Sequence, residues 1–201
     1  MSLPGRILLR ARQLLDGVPS AWRVNRFRWM EGPRHQRLEI GPRTRFYVPV
    51  RSDGNGTLLI GSENAFGWQP APRFGSGEVL LQPRARDAQV VIGKRNAFSN
   101  NVSLIAMGKI VLGDGCLLGD QVAIYDCDFH EIDPRHRNRS VGPILPVIIG
   151  NNVWLGSRVI ILKGVTIGDN SVVAALSVVT KSLPSNCVAA GNPARVIRTL
   201  E

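Results

Sequence analysis

The sequence predicts an all-β fold, a parallel β-helix built from repeats of six residues. In its last third, bulky aliphatic residues recur at every sixth position: Ile149, Leu155, Ile161, Ile167, Val173 and Val179. A second series follows the first four of these by four positions: Val153, Val159, Val165 and Ser171. An α-helix repeats near 3.6 residues and a simple strand at two, so neither explains this spacing. A short strand and a corner on each of three sides do explain it, and coils stacked roughly 4.8 Å apart would bury the aliphatic column.

The segment before the repeats is strongly basic. Apolar residues recur at helical spacing over residues 4–18, which predicts a short amphipathic helix that either lies on a membrane surface or covers the open end of the solenoid. The first 45 residues hold ten arginines against three acidic residues, and the whole chain carries a net charge of +10. This patch favours an anionic partner, either a phosphorylated ligand or a membrane surface. No recognised nucleic-acid motif accompanies it, so we expect no nucleic-acid partner.

The spacing of six is faint at first and becomes regular along the chain. It shows weakly at Ile40 and Ile60, sharpens at Ile92, and continues to Ile124 after a shift of two residues near Gly108. We therefore expect about six coils, of which the first two are irregular. Corner positions hold polar residues that tolerate left-handed backbone angles: Asn96, Asn100, Asn101, Asp114 and Asp120. The predicted organisation is a basic segment with its helix at 1–39, a β-helix domain at 40–191 and a C-terminal tail at 192–201.

A long stretch interrupts this regular spacing. Residues 125–147 are polar and rich in Pro and Arg, and they carry His130 and His136. A break of this length inside a regular array predicts a loop that protrudes from the three-sided prism formed by the stacked coils. Long loops on rigid scaffolds usually carry function.

Composition limits the class of protein further. Aromatic residues make up only 6% of the chain, and 21 glycines suit a core of narrow aliphatic stacks with many tight corners. There is no apolar run of 18 residues and no secretory signal pattern, so we expect a cytoplasmic protein, either free or at the inner face of the membrane. Cys116, Cys127 and Cys187 match no metal motif and are expected to be reduced thiols. With three histidines, one of them far from the repeats, we expect no metal site.

Residues 148–198, which run from IIGNNVWLGS to GNPARVIR, resemble the C-terminal half of the hexapeptide-repeat acyltransferases. Within that family, the chain is most similar to the galactoside and maltose O-acetyltransferases and to polysaccharide O-acetyltransferases. The resemblance covers residues 92–198 and is weak before them. It implies that the β-helix is left-handed, the opposite of ordinary parallel crossovers, and that the protein is a homotrimer with active sites between subunits.

The loop sequence DFHEIDP resembles the stretch that carries the catalytic histidine in these relatives, which places His130 as the general base. A proline more often follows the histidine in the relatives, whereas Glu131 stands here. An alcohol is a poor nucleophile at neutral pH, and a neutral imidazole is suited to removing its proton. A second group must hold the ring in one tautomer, and Asp128, Glu131 or a loop carbonyl could do so.

The resemblance also implies roles around the reacting atoms. The backbone amide of Ser157 is expected to stabilise the tetrahedral oxyanion. Asn100 is expected to contact the sugar hydroxyl. Trp154 occupies an outward position, where it either packs on a neighbouring subunit or lines the cofactor groove.

Acetyl-CoA is the donor that the resemblance implies, bound in a groove between two prisms. Its extended arm is expected to bond to backbone near Gly156 and Ala175. Thr180 and Lys181 would approach the pantetheine and phosphate end. Arg198 would lie close to the nucleotide phosphates, whose negative charges require basic partners.

These features favour an acetyl-CoA-dependent O-acetyltransferase that acts on a sugar hydroxyl of a cell-surface polysaccharide or its precursor. Two alternatives stay open. One is N-acetylation of a nucleotide-linked amino sugar, which would use the same histidine and groove. The other is a solenoid that binds without catalysis, which His130, Lys181 and Arg198 disfavour because such a protein needs neither a loop base nor a basic groove.

Overall fold

The computed structural model describes residues 20–67 and 75–201. Within these ranges the chain forms one α-helix, α1 (20–31), a 3-10 turn at Gly32–Arg34 and twenty β-strands. In chain order, the strands are β1 Arg37–Ile40, β2 Arg45–Phe46, β3 Val50–Arg51, β4 Thr57–Ile60, β5 Ala65–Phe66, β6 Val79–Pro83, β7 Gln89–Ile92, β8 Ala97–Phe98, β9 Ser103–Ala106, β10 Lys109–Leu112, β11 Leu117–Leu118, β12 Ala123–Tyr125, β13 Val147–Ile149, β14 Trp154–Leu155, β15 Ile160–Ile161, β16 Thr166–Ile167, β17 Val172–Val173, β18 Val178–Val179, β19 Cys187–Gly191 and β20 Ala194–Thr199.

The strands form three sheets, which are the three sides of a prism. Sheet A contains β1, β4, β7, β10, β13 and β16; sheet B contains β2, β5, β8, β11, β14, β17, β19 and β20; and sheet C contains β3, β6, β9, β12, β15 and β18. Strands of successive coils pair in parallel, so that Ile149 lies beside Ile167 and Leu155 beside Val173. The described residues contain six coils, which confirms the predicted left-handed parallel β-helix.

The corners between sheets A and B turn on a residue with a positive φ, two positions after the glycine that follows each sheet A strand. The non-glycine residues at this position are Arg43, Glu63, Arg95, Asn152 and Asn170. Of the five corner residues that tolerate left-handed backbone angles, only Asn101 adopts one, with a φ of 57°. Asn96 and Asp114 act through their side chains instead, since Asn96 Oδ1 accepts the N–H of Cys116 at 2.6 Å and Asp114 Oδ1 accepts that of Lys94 at 2.8 Å. Stacking of the coils therefore sets the corner conformation more strongly than residue type does.

Stacked side chains fill the prism. Phe46, Phe66 and Phe98 come from successive strands of sheet B and are fully buried. The rings of Phe66 and Phe98 stack with centroids 4.4 Å apart, and Phe46 meets Phe66 edge-on at 5.1 Å. Leu118 and Leu155 continue the column. Because burial of each such side chain stabilises by roughly 1.5–3 kcal/mol, the coils hold one another in place.

Helix α1 covers the N-terminal end of the prism. Its buried residues Ser20, Val24, Phe27 and Glu31 lie at helical spacing on one face. The Phe27 ring packs edge-on against Phe46 at 5.6 Å, and Ser20 Oγ accepts the N–H of Phe46 at 2.8 Å. This helix was not predicted, because it has only two large apolar residues on its buried face.

The helix that the sequence predicts at 4–18 lies outside the described residues. Over residues 20–67 and 75–201, no helix has the length and apolar character needed to cross a membrane.

An antiparallel hairpin closes the C-terminal end, where β19 pairs with β20. Residues 194–199, predicted as part of a tail, therefore extend sheet B. The first strand starts at Arg37, slightly before the predicted start of the β-helix at residue 40. The protruding loop occupies residues 126–146, between β12 and β13.

Candidate active site

Asp126 attaches the protruding loop to the edge of the prism between sheets C and A. Its side chain is fully buried. Its Oδ1 accepts the N–H of Met107 at 2.8 Å, and its Oδ2 accepts those of Gly108 and Lys109 at 2.7 Å each. Its carbonyl accepts the N–H of Leu145 at 2.9 Å, which joins the two ends of the loop. A carboxylate with three backbone donors fixes the start of the loop to the preceding coil.

Two further contacts hold the first turn of the loop against the prism. The Arg84 guanidinium lies 4.7 Å from the centroid of the Phe129 ring, which also meets the Tyr125 ring edge-on at 5.8 Å. Asp128 forms an ion pair with Lys163 from the next coil. The residue that follows Phe129 is therefore carried by a well-anchored segment.

His130 directly follows Phe129; its side chain is exposed and is held by the backbone of the loop. Its Nδ1 lies 3.2 Å from the carbonyl oxygen of Arg137. A carbonyl only accepts hydrogen bonds, so this contact requires the proton on Nδ1 and leaves the lone pair of Nε2 able to take a proton. The two carboxylates considered for this orienting role are engaged elsewhere, Asp128 with Lys163 and Glu131 with the N–H of the next residue.

A cavity of about 510 Å³ lies inside the loop beside His130. Phe129 and residues 137–141 form the rest of its lining. Arg137 and Arg139 belong to that lining, so the cavity next to the imidazole is positively charged.

Most residues predicted to hold the cofactor arm lie at the B–C edge, where sheet B turns into sheet C. In the last four coils, the corners on this edge are residues 99–102, 119–122, 156–159 and 174–177. Gly156 lies directly against Ala175, since a Cβ on Gly156 would come within 2.5 Å of the Ala175 nitrogen, and only glycine permits this approach. Ser157 follows at the same corner, and Trp154 precedes it with 54% of its surface exposed. Asn100 lies two coils earlier on the same edge and is fully buried in the single chain, so its contact with a sugar stays a prediction.

The other predicted cofactor residues lie elsewhere. Thr180 and Lys181 are exposed at the C–A edge, where sheet C turns into sheet A and from which the loop also leaves. They lie two coils beyond the loop, about 10 Å at the usual strand spacing. Arg198 is exposed on β20 beside Val188. In the part of the chain that the structure describes, neither Lys181 nor Arg198 forms an ion pair.

A single chain does not bring these two groups together. His130 and Lys181 lie at the C–A edge, whereas Gly156, Ser157 and Ala175 lie at the B–C edge. Sheet C separates the two edges. A site that uses both groups needs two copies of the chain, with the C–A edge of one facing the B–C edge of the other.

The other reactive side chains of the loop have structural roles. Cys127 is buried, and burial raises the pKa of its thiol, so a thiolate is disfavoured. The Nδ1 of His136 lies 3.4 Å from Asp133 Oδ2 in an exposed pair. Among the described residues, no group of three or more His, Cys, Asp or Glu side chains is placed to hold a metal ion.

Sequence reasoning missed the residues that anchor the loop. For Asp126 a signal existed, because strand residues alternate between two faces and Asp126 follows the inward Ile124 by two positions. A buried carboxylate must be satisfied by hydrogen bonds, which marks it as structurally important. Arg84 and Lys163 reach the loop from other coils, so only the stacking register reveals them.

Comparison with known proteins agrees with this architecture. Residues 146–181 match the family described as bacterial transferase hexapeptide (six repeats). Galactoside O-acetyltransferase from Escherichia coli is 43% identical over 107 residues, which are 53% of this chain and 52% of that protein. The chain thus spans about half the length of the curated relatives it matches.

Two solved structures match over a larger share. The polysialic acid O-acetyltransferase OatWY has a TM-score of 0.60 and 29% identity, over 80% of this chain and 81% of that one. The hexapeptide-repeat containing acetyltransferase VCA0836 from Vibrio cholerae has a TM-score of 0.58 and 32% identity, over 71% of this chain and 74% of that one, and its complex with acetyl coenzyme A is also known. The resemblance drawn from the sequence is confirmed, and the chain belongs to the hexapeptide-repeat acetyltransferases.

Proposed function

We propose that the protein transfers an acetyl group from acetyl-CoA to a sugar hydroxyl, with His130 as the general base. The observation that carries this proposal is the hydrogen bond between His130 Nδ1 and the Arg137 carbonyl, which leaves Nε2 basic on an anchored loop. The donor is supported by the acetyl coenzyme A complex of VCA0836. The sugar acceptor is supported by the names of the galactoside and polysialic acid O-acetyltransferases.

The reaction needs one proton to move twice. His130 Nε2 takes the proton of the acceptor hydroxyl as its oxygen attacks the thioester carbonyl. The Ser157 N–H stabilises the oxyanion of the tetrahedral intermediate. The carbon–sulfur bond then breaks, and the imidazolium returns its proton to the CoA thiolate. No acyl-enzyme forms, and the buried Cys127 takes no part.

The site is completed by a second copy of the chain. The base lies at the C–A edge and the predicted oxyanion donor at the B–C edge, so a closed homotrimer would form one site at each of its three interfaces. Trp154, exposed beside the B–C edge, would then lie at the interface or in the cofactor groove. Lys181 and Arg198 would meet the phosphates of CoA.

The acceptor is a sugar of a cell-surface polysaccharide or its precursor. This step is supported by the match to a polysialic acid O-acetyltransferase over 81% of that chain, at 29% identity. The positive cavity beside His130, lined by Arg137 and Arg139, would accept an acidic saccharide.

Substitution of His130 tests the proposal, with His136 as the matched control. His130→Ala should lower kcat by about 10²–10⁴-fold and leave the affinity for acetyl-CoA unchanged, because general-base catalysis contributes this much. His136→Ala changes an exposed histidine of the same loop and should leave kcat within about twofold. Release of CoA thiol over a panel of sugars and acidic oligosaccharides measures both. Full activity of His130→Ala would refute the role of the base, and no turnover with any member of the panel would refute the sugar acceptor.

A further inference from the structure

Helix α1 exposes aromatic and basic side chains on the side opposite to its buried face. Trp22, Trp29 and Met30 are 63%, 80% and 38% exposed, and the Arg26 guanidinium lies 5.8 Å from the centroid of the Trp22 ring. At about 100° per residue, both tryptophans point away from the residues that pack on the prism. We refer to Trp22, Arg26, Trp29 and Met30 as the α1 ridge. Large exposed apolar side chains grouped in this way mark an interaction surface.

The arginines of α1 keep their positive charge available. Arg23 donates to the carbonyl of Tyr47 at 2.5 Å, and Arg28 donates to the carbonyl of Ile40 at 2.8 Å. Carbonyls are neutral, so neither bond cancels the charge. Within residues 20–67 and 75–201, none of Arg23, Arg26 and Arg28 forms an ion pair. The sequence of residues 1–19 adds three more arginines against one aspartate.

We propose that the α1 ridge binds the surface of an anionic phospholipid membrane. Indole rings favour the boundary between water and lipid, because they combine a large apolar body with one N–H donor. Guanidinium groups bind phosphate in a bidentate manner, and an anionic leaflet attracts basic residues that lie close to it. The ridge thus has both components that an interfacial helix needs, an apolar strip and flanking positive charge.

The position of α1 suits a flat partner. The helix closes the N-terminal end of the prism through Phe27 and Phe46, so the ridge faces outward from that end. The protruding loop starts at Asp126, three coils further along the prism, about 14 Å at the usual strand spacing. A membrane bound at the ridge would therefore leave the candidate active site uncovered.

Other partners fit the ridge less well. A second copy of the chain would bring the arginines of two ridges face to face, which costs free energy through like-charge repulsion. Single-stranded nucleic acid is bound in positively charged grooves in which bases stack on aromatic rings. A cavity of about 430 Å³ beside the ridge is lined by Trp22, Arg26 and Met30 but not by Trp29, so it offers no row of exposed rings on which successive bases could stack.

Vesicle binding by the full chain tests the proposal without any substrate. Vesicles of phosphatidylcholine mixed with phosphatidylglycerol should bind the protein in a flotation assay, and vesicles of phosphatidylcholine alone should bind it much less. Arg26→Glu reverses one charge of the ridge and should weaken binding to the anionic vesicles by about 10–30-fold, since each basic residue near such a surface contributes about a factor of five and reversal counts twice. Trp22→Ser combined with Trp29→Ser should weaken it at least about tenfold.

Matched controls lie elsewhere on the prism. Arg195→Glu makes the same charge change on the exposed strand β20, and Ile197→Ser removes an exposed apolar side chain from the same strand; both should bind vesicles as the wild type does. Equal binding by the Arg26 and Arg195 variants would overturn the proposal. The proposal would also be overturned if the protein did not bind vesicles and Trp22 and Trp29 were instead needed to bind a single-stranded oligonucleotide or to change the oligomeric state. A wild-type melting temperature of each variant excludes loss of fold as the cause.

Discussion

Asp126→Asn tests whether the buried carboxylate positions the loop that carries His130. The side chain is fully buried and accepts three backbone N–H groups from the preceding coil. The amide is almost the same size as the carboxylate, so the change removes charge and one acceptor atom while keeping the volume. Any loss of stability then reports on the hydrogen bonds.

The magnitude follows from the geometry of these bonds. Whichever way the substituted side chain turns its amide, the NH₂ group faces at least one backbone donor, either that of Met107 or those of Gly108 and Lys109. A buried donor left without an acceptor costs about 1–3 kcal/mol. Loss of the negative charge also weakens the bonds that remain, because charge-assisted bonds are roughly twice as strong as neutral ones. We expect the free energy of unfolding to fall by about 2–4 kcal/mol.

Urea unfolding measures this change, with Asp128→Asn as the matched control. Asp128 lies in the same loop, but its ion pair with Lys163 is partly exposed, with side chains 34% and 21% accessible, and is worth at most about 1 kcal/mol. Because His130 follows Asp126 by four residues, kcat should also fall by roughly 10²-fold, the effect of a small misplacement of a catalytic group. The KM for acetyl-CoA should stay unchanged. If Asp126→Asn unfolds no more easily than Asp128→Asn, the three hydrogen bonds do not anchor the loop.

Two further predictions concern the phosphates of CoA and the core. Lys181→Ala combined with Arg198→Ala should raise the KM for acetyl-CoA about tenfold or more with little change in kcat, because the two cations would bind phosphate away from the reacting carbonyl. Steady-state kinetics measures both constants, and an unchanged KM would mean that the phosphates lie elsewhere. Burial raises the pKa of the Cys116 thiol from 9.0 to about 11. As the pH rises, the unfolded chain therefore loses the thiol proton at a lower pH than the folded protein does. The free energy of unfolding should therefore fall between pH 9 and pH 11, and this thiol should account for up to about 2–3 kcal/mol of the fall. Urea unfolding at several pH values measures the change, which should be smaller for Cys116→Ala.

The regular part of the fold could be predicted because its signal is local. The aliphatic residues from Ile149 to Val179 recur at the spacing of the strands themselves, so the coil length and the register between coils follow directly. The protruding loop could be predicted because it breaks this count, and His130 stands in a motif within it. Left-handedness and the trimer required the resemblance, since spacing alone does not carry handedness.

The features that hold the loop and the prism end could not be predicted in the same way. Arg84 and Phe129 are 45 positions apart, and their contact depends on how two coils stack. Helix α1 is stabilised mainly by Val24 and Phe27 against the first coil, and its exposed tryptophans obscure the amphipathic pattern. Corner residues such as Arg43 and Glu63 adopt positive φ because the stacking imposes it, against the preference of their side chains.

The candidate site is divided over two edges of the prism, and a second copy of the chain would bring its two parts together. A prism has equivalent edges along its whole length, and its side chains point either into the core or outward from a flat side. Among the described residues, the cavity beside His130 belongs to the loop and not to a flat side of the prism, so a groove for CoA would form between two prisms side by side. The loop anchored by Asp126 reaches beyond the C–A edge, which is where a neighbouring B–C edge would lie. The departures from the hexapeptide repeat therefore have distinct roles: the loop would supply the base to the groove, and α1 would direct the prism end towards the membrane.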